Sequence, residues 1–448
     1  MPRLARAALA ATFLTAVSTQ AFAQDLVIWW NKSYYPEEDQ KFEEIVADFE
    51  KEKGVDIDLS FFTNEDLPVK TLAALTAGEP PDLAFAFLFD LQHTSRWAYE
   101  GVLEDVSDVI EPMKDRFQQV ALESVHLLNG ETGERAYYGF PTQQQTAHIH
   151  VWKSLLEEAG LSADDIPNTW NEYWDWFCET AQPEVRSATG DRQKYGVGQP
   201  MSSSASDTIF HFMMFMNAFN GQFVNEQGEV VIDQPENRDA LIAALESYTK
   251  PFKDGCVPAG AVNWQDGDNN VNFLNQVTVM TPNPSMSIPA SQYTQSPDNY
   301  FKNIVSIEWP DKPDGEPIVY MTAIKTAVIF TDSKNKEGAK EFMRFLYEPD
   351  NIGPYLEGSL GRWFPVMPEL QNSPYWTETD DPHRQIHWRQ YMERPQNPFP
   401  FVYNHRFIQI MAENAIGKAV GRIVLEDASA EDAADELIAR IKEVVGTS

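Results

Sequence analysis

Aromatic rings and hydrogen-bonding side chains recur together in three short stretches of this chain, a mixture suited to gripping a small molecule. A molecule with apolar C–H faces and a rim of hydroxyls, such as a sugar, is held by aromatic planes against its faces. Asn, Gln, Asp, Glu or Arg then meet its rim. The first stretch is Trp30-Asn31-Lys32-Ser33-Tyr34-Tyr35. Neighbouring residues of an extended segment point to opposite faces. One of Trp29 and Trp30 is therefore expected in the core and the other, taken as Trp30, at the ligand. Asn31 reads either as a ligand contact or as a turn residue bonding local backbone. The second stretch is Phe87-Leu88-Phe89-Asp90-Leu91-Gln92. Phe89 supplies a ring there, and Asp90 either accepts from ligand hydroxyls or caps a helix. The third is Gln143-Gln144-Gln145, three amides that cannot all point one way, of which at least one is expected to face the ligand.

The elements around these stretches alternate between strand and helix. Leu26-Val27-Ile28-Trp29-Trp30 is a short continuous apolar run, as a buried parallel strand requires. Pro36 and the acids Glu37, Glu38 and Asp39 open a helix whose inward face is Phe42, Ile45, Val46 and Phe49, and Gly54 ends it. Val55, Ile57, Leu59 and Phe61 then alternate with polar residues at the period of a strand. Another helix runs to about Ala77, Gly78 stops it, and Leu83–Phe87 reads as the next strand. This order predicts a parallel sheet covered by helices, and ligands of such sheets lie beyond the carboxyl ends of the strands. The first two stretches follow strands, and the third is an extended segment after Pro141 that leads into an alternating run through Ile149 and Val151. Farther along, Thr169-x-x-Glu172 predicts a capping box, with Trp170, Tyr173, Trp174 and Phe177 as core behind it. Helices are expected from Pro235, through Ala339–Leu346 and from Ala430, and a strand within Ile318–Phe330. No internal repeat or low-complexity tract is present.

Charge and the chain ends bound the setting. With 68 acidic against 34 basic residues the formal net charge is −34, a field that repels nucleic-acid backbones and anionic membranes. Arg3 and Arg6 precede an apolar run, Ala7–Val17, and Ala21-Phe22-Ala23 has the small-x-small pattern of a signal-peptidase site. A leader over residues 1–23 and export, most simply to a Gram-negative periplasm, are expected. No cysteine follows the cleavage point, so no lipid anchor is. The longest later apolar run, Phe210–Phe219, is too short to span a membrane. An oxidising compartment permits a bond between the two cysteines, Cys178 and Cys256, and two separate thiols are the alternative.

Four stretches together resemble the extracellular solute-binding proteins of ABC transporters, the family whose best-known members bind maltose and other sugars. They are Leu26–Asn31, Leu72–Phe87 (LAALTAGEPPDLAFAF), Gly139–Trp174, and Ile318–Pro368 with its Gly361-Arg362-Trp363-Phe364-Pro365-Val366. The resemblance implies an α/β fold of two lobes joined at a hinge, with the ligand between them. It divides the chain into lobe one (24–145 and 303–347) and lobe two (146–302 and 348–448). From the second lobe it offers Asn283, Arg362, Trp363, Tyr403 and Arg406 as ligand contacts. Trp363, held between Gly361 and Pro365, is the preferred stacking ring, and Arg362 either bonds the ligand or pairs across the lobes. It further implies a monomer that takes up a mono- or oligosaccharide without cofactor or metal and delivers it to permease subunits. Two segments depart from the pattern. Val151-Trp152 stands where many relatives carry an aromatic-asparagine pair, and Pro382–Pro400 has no motif that can be placed.

Three other readings compete. A secreted glycoside hydrolase also needs aromatics and a carboxylate pair about 5–10 Å apart. The same fold can instead carry a polyol, glycerol phosphoester, polyamine or metal chelate. His383 and His387, at i and i+4, have a metal-ligand spacing but lack the glutamate of a zinc-protease helix, and read as a solvated helix face. No phosphate-binding glycine loop and no Gly-x-Ser-x-Gly elbow is present.

Overall fold

The structure, a computed structural model of the chain, describes residues 26–446. The expected leader lies outside them. In chain order the strands are β1 (Leu26–Asn31), β2 (Ile57–Phe62), β3 (Leu83–Phe85), β4 (His126–Leu128), β5 (Arg135–Tyr137), β6 (Phe140–Gln145) and β7 (His148–Trp152). They continue with β8 (Tyr195–Val197), β9 (Thr278–Asn283), β10 (Ile304–Ile307), β11 (Tyr320–Val328), β12 (Phe364–Pro365) and β13 (Gln396–Pro398). One sheet has the order β12-β6-β11-β3-β1-β2, with β13 also pairing with β11, and the other has the order β10-β7-β9-β8. The pair β4-β5 stands apart. The two sheets are the cores of two lobes.

Period-2 side-chain alternation builds the first lobe. Leu26, Ile28 and Trp30 face the helix Pro36–Lys53 through Phe42, Ile45 and Phe49. Ala84, Phe89, Trp97 and Val328 form the core on the other face. Gly54 ends the first helix in the left-handed region at φ 70°, where its N–H reaches the Glu50 carbonyl. β1 pairs in parallel with both β2 and β3, as the alternation of elements predicted. The second lobe packs Trp170, Tyr173, Trp174 and Phe177 against the apolar helix Asp207–Ala218 and the strands of the second sheet. Thr169 makes no capping box: its hydroxyl donates to the Glu172 carboxylate instead of the side chain accepting a backbone N–H. Cys178 and Cys256 are bonded, with Cα atoms 5.2 Å apart. Among the described residues no helix is long and apolar enough to cross a membrane.

The chain passes from one sheet to the other and back, and after β13 its last helices return to the second core. β6 lies in the first sheet and β7 in the second, with only Thr146 and Ala147 between them. β10 and β11 make the return. The segment Ile352–Leu370, expected in the second lobe, packs into the first core instead. The helix Pro349–Gly358 brings Tyr355 against Trp30 and Phe42, and β12 pairs with β6. The motifless region becomes a helix, Pro382–Met392, followed by β13. Its His383 and His387 are buried, not solvated, because the helix lies between the second sheet and the loop before β12.

Candidate functional site

Strand register sorts the three glutamines. Gln143 lies opposite Lys325, and Gln145 opposite Ala323, on the antiparallel neighbour β11. Gln143 and Gln145 therefore share one face with Lys325, and Gln144 takes the other. All three are fully buried. Gln144 is committed to structure, its Nε2 donating to the Gln118 side chain and to the Pro365 carbonyl, both at 2.7 Å. Neither amide atom of Gln143 or Gln145 has a protein hydrogen-bond partner.

Beside Gln143, the Lys325 ammonium donates to both Asp90 oxygens, at 3.1 and 3.0 Å, and to the Phe87 carbonyl at 2.9 Å. Burial pushes the Asp90 carboxyl up and the Lys325 ammonium down, and their mutual attraction opposes both. Lys325 also sits 4.1 Å over the Phe87 ring. Phe87 leads on to Trp363, with centroids 5.5 Å apart, whose ring carries the Arg362 guanidinium at 4.3 Å. Glu38 closes this group: it accepts from Trp363 Nε1 at 2.7 Å and lies 3.6 Å from Arg362. Burial raises the Glu38 carboxyl while Arg362 draws it down. Glu38 Oε2 and Arg362 Nε have no hydrogen-bond partner.

The second lobe faces this group with amides and hydroxyls. Asn283 ends β9 opposite His148, donates to the Ser285 carbonyl and Ser287 Oγ, and accepts from Asn269. Asn270 also reaches Ser287 Oγ, and Oδ1 of both Asn269 and Asn270 is without a partner. Tyr35, from the first lobe, donates across the junction to the Ser287 carbonyl at 2.8 Å. The two walls thus meet at a bond between lobes. A buried polar atom left unpaired costs about 1–3 kcal/mol, yet six side chains bear one here. Hydroxyls, which both donate and accept, match that set, and the Phe87, Trp363 and Tyr34 rings lie beside it.

Not every expected contact joins this group. Trp30 is core: Phe42 and Phe85 stack on it at 3.9 and 4.5 Å, and Tyr355 takes its Nε1, so no ring face is left for a ligand. Phe89 is core as well, packed on Trp97 beneath the first sheet. Asn31 holds the loop after β3 by accepting from the Phe87 N–H at 3.2 Å. Tyr403 lines a separate groove of about 130 Å³ with Met213, Asn217 and Met321. Arg406 precedes the helix Phe407–Ala412, its N–H bonded to Asn404. Gln143 and Gln145 share a face with the Lys325 that holds Asp90, Arg362 lies on Trp363, and Asn283 stands across the junction, connected through Ser287 and Tyr35. Sequence reasoning missed Glu38, Asn269, Asn270 and Lys325, and placed Tyr35 in the first stretch without naming it a contact. A lone lysine inside the apolar run Ile318–Phe330 was the available signal, since a buried ammonium needs a partner.

Known proteins share this arrangement of lobes. A binding protein of Brucella abortus (strain 2308) is 22% identical over 346 residues, 76% of each chain. An ABC transporter solute-binding protein from Thermotoga lettingae TMO, solved with α-D-tagatose, superposes with a TM-score of 0.76 at 21% identity, covering 95% of this chain and all of that one. Maltose-bound T. maritima MalE3 gives 0.72 at 19% identity, covering 93% and 99%. The profile of the bacterial extracellular solute-binding proteins matches residues 44–385. With three quarters of its length matched and both lobes in place, this chain belongs to the bacterial extracellular solute-binding protein family.

Proposed function

We propose that this protein captures a carbohydrate between its two lobes and hands it to the permease of an ABC importer. The observation that carries the reading is the group of buried, unpartnered polar atoms on Gln143, Gln145, Arg362, Glu38, Asn269 and Asn270, set beside aromatic rings at the lobe junction. The tagatose and maltose bound by the two similar structures support the same ligand class. Capture without conversion is favoured because the two carboxylates beside the rings are engaged by cations, Asp90 by Lys325 and Glu38 by Arg362. Neither is left as the free acid or base that glycoside hydrolysis needs. Ligand contacts on both lobes stabilise the closed arrangement, which the permease then recognises. We place the protein in the periplasm as a monomer.

A thermal-shift panel of mono- and disaccharides, polyols and polyamines tests the ligand class, since a ligand of the folded state raises the melting temperature. The reading expects sugars to give the largest shifts. Shifts confined to polyamines or polyols would replace carbohydrate with those solutes, and release of reducing ends from oligosaccharides would restore the hydrolase.

A further inference from the structure

The helix Pro382–Met392 and the strand after it hold the two lobes together, and they do so through histidines. Toward the second sheet, Ser306 on β10 meets His383 Nδ1 at 2.7 Å and His150 Nδ1 at 2.9 Å. His148 Nδ1 meets the side-chain carbonyl of Gln390. Toward the first lobe, His387 Nδ1 meets the Gly361 carbonyl at 3.0 Å. Tyr391 stacks on Phe364 at 4.6 Å, Trp388 donates to the Gln371 carbonyl, and β13 pairs with β11. The rings of His148 and His387 stand 4.6 Å apart, nearly perpendicular. All four histidines are buried.

The acceptors fix the protonation pattern. A carbonyl only accepts, so His387 donates from Nδ1 to Gly361 and His383 donates from Nε2 to the Tyr300 carbonyl, at 2.8 Å. With a neutral ring, His383 Nδ1 accepts from Ser306, whose oxygen can then accept from His150 Nδ1. His148 likewise donates to Gln390. Each ring is neutral in this arrangement, and Nε2 of His148 and His387 has no hydrogen-bond partner.

The charged groups around the rings would not compensate a proton. On the helix and just after it lie Arg384, Arg389 and Arg394, and Arg362 follows Gly361. Glu308, after β10, is taken by Arg389 and Arg394, and Glu38 by Arg362. Asp381 caps the helix and accepts from Tyr300 and Arg384. Its carboxylate favours a proton on His383.

We propose that the helix Pro382–Met392 is a proton-released latch between the lobes, closed while these imidazoles are neutral and freed when they take up protons. Burial holds all four below the ordinary histidine value, His148 at about 3. The latch's stabilising contribution is therefore fully present above about pH 6.5, the value of a free imidazole. It weakens as pH falls below that, toward the depressed values of the closed form. Each imidazole that charges on release multiplies the open-to-closed ratio about tenfold per pH unit.

The test is hydrogen exchange of the ligand-free protein from pH 8 to 5, corrected for the intrinsic pH dependence of exchange. Being sugar-free, it leaves the carbohydrate reading untouched whatever its result. Protection of residues 382–392 should fall at least a hundredfold between pH 7.5 and 5.5, while that of β1 and β9 holds. His148→Gln and His387→Gln should each flatten the slope, and His383→Gln provides a further variant should either fail to fold. Protection that is flat over this range, or is lost together with the rest of the chain, would overturn the latch, as would variants whose slopes match the parent.

Discussion

At the residue scale, neighbouring glutamines of one strand separate by role. Gln144 makes two protein hydrogen bonds and Gln145 makes none with its side chain. Gln144→Ala is expected to cost about 1–3 kcal/mol of stability, read by denaturant melts. Gln145→Ala should leave the melt nearly unchanged and weaken ligand binding about tenfold. The reverse pattern would exchange their roles. Asp90 and Lys325 give a second contrast. Lys325→Met strands a buried carboxylate, at a cost of about 3–5 kcal/mol, and the double change with Asp90→Leu should recover much of it. A double variant no more stable than Lys325→Met would show that the pair is not the cause. That the three amides divide between two faces was legible, because alternation forbids three successive residues from sharing one. The fate of Trp30 was not. Choosing between Trp29 and Trp30 required knowing that Phe42 and Tyr355 would arrive on the Trp30 face, and Tyr355 is 325 residues away.

At the element scale, local signals carried furthest where periodicity was regular. The first helix, its Gly54 stop and the buried strand at Tyr320–Val328 were all readable from spacing and composition. The helix Pro382–Met392 was not, because polar residues face both lobes and no apolar stripe marks an inside. Its buried histidines were read as solvated for the same reason. The Cys178–Cys256 bond ties the helical segment Trp176–Ala181 to the loop after the helix Pro235–Lys253. Removing it frees a loop of 78 residues in the unfolded chain. A Cys178→Ser/Cys256→Ser variant is expected to lose about 2–5 kcal/mol. A scanning-calorimetry melt with no change in the variant would mean that the bond adds nothing to folding.

At the scale of the whole molecule, function rests on two lobes meeting over a polar seam. The Tyr35–Ser287 bond is a direct link across it. Tyr35→Phe removes that donor and should weaken ligand affinity by about threefold to tenfold, the worth of one such bond. An unchanged dissociation constant would mean that the bond forms equally with the lobes apart. The division into two lobes came from the family resemblance, but the boundary did not follow from it. Ile352–Leu370 joins the first lobe because β12 needs β6 as its partner. Pairing between distant strands leaves no mark on composition. Carbohydrate capture is tested most directly by isothermal titration of mono- and disaccharides, tagatose and maltose among them, into the parent protein and a Gln143→Ala/Gln145→Ala variant. It predicts saturable one-to-one binding of at least one sugar, weakened about a hundredfold in a variant that still melts near the parent temperature. Binding of no sugar, or binding that survives the double substitution unchanged, would contradict it.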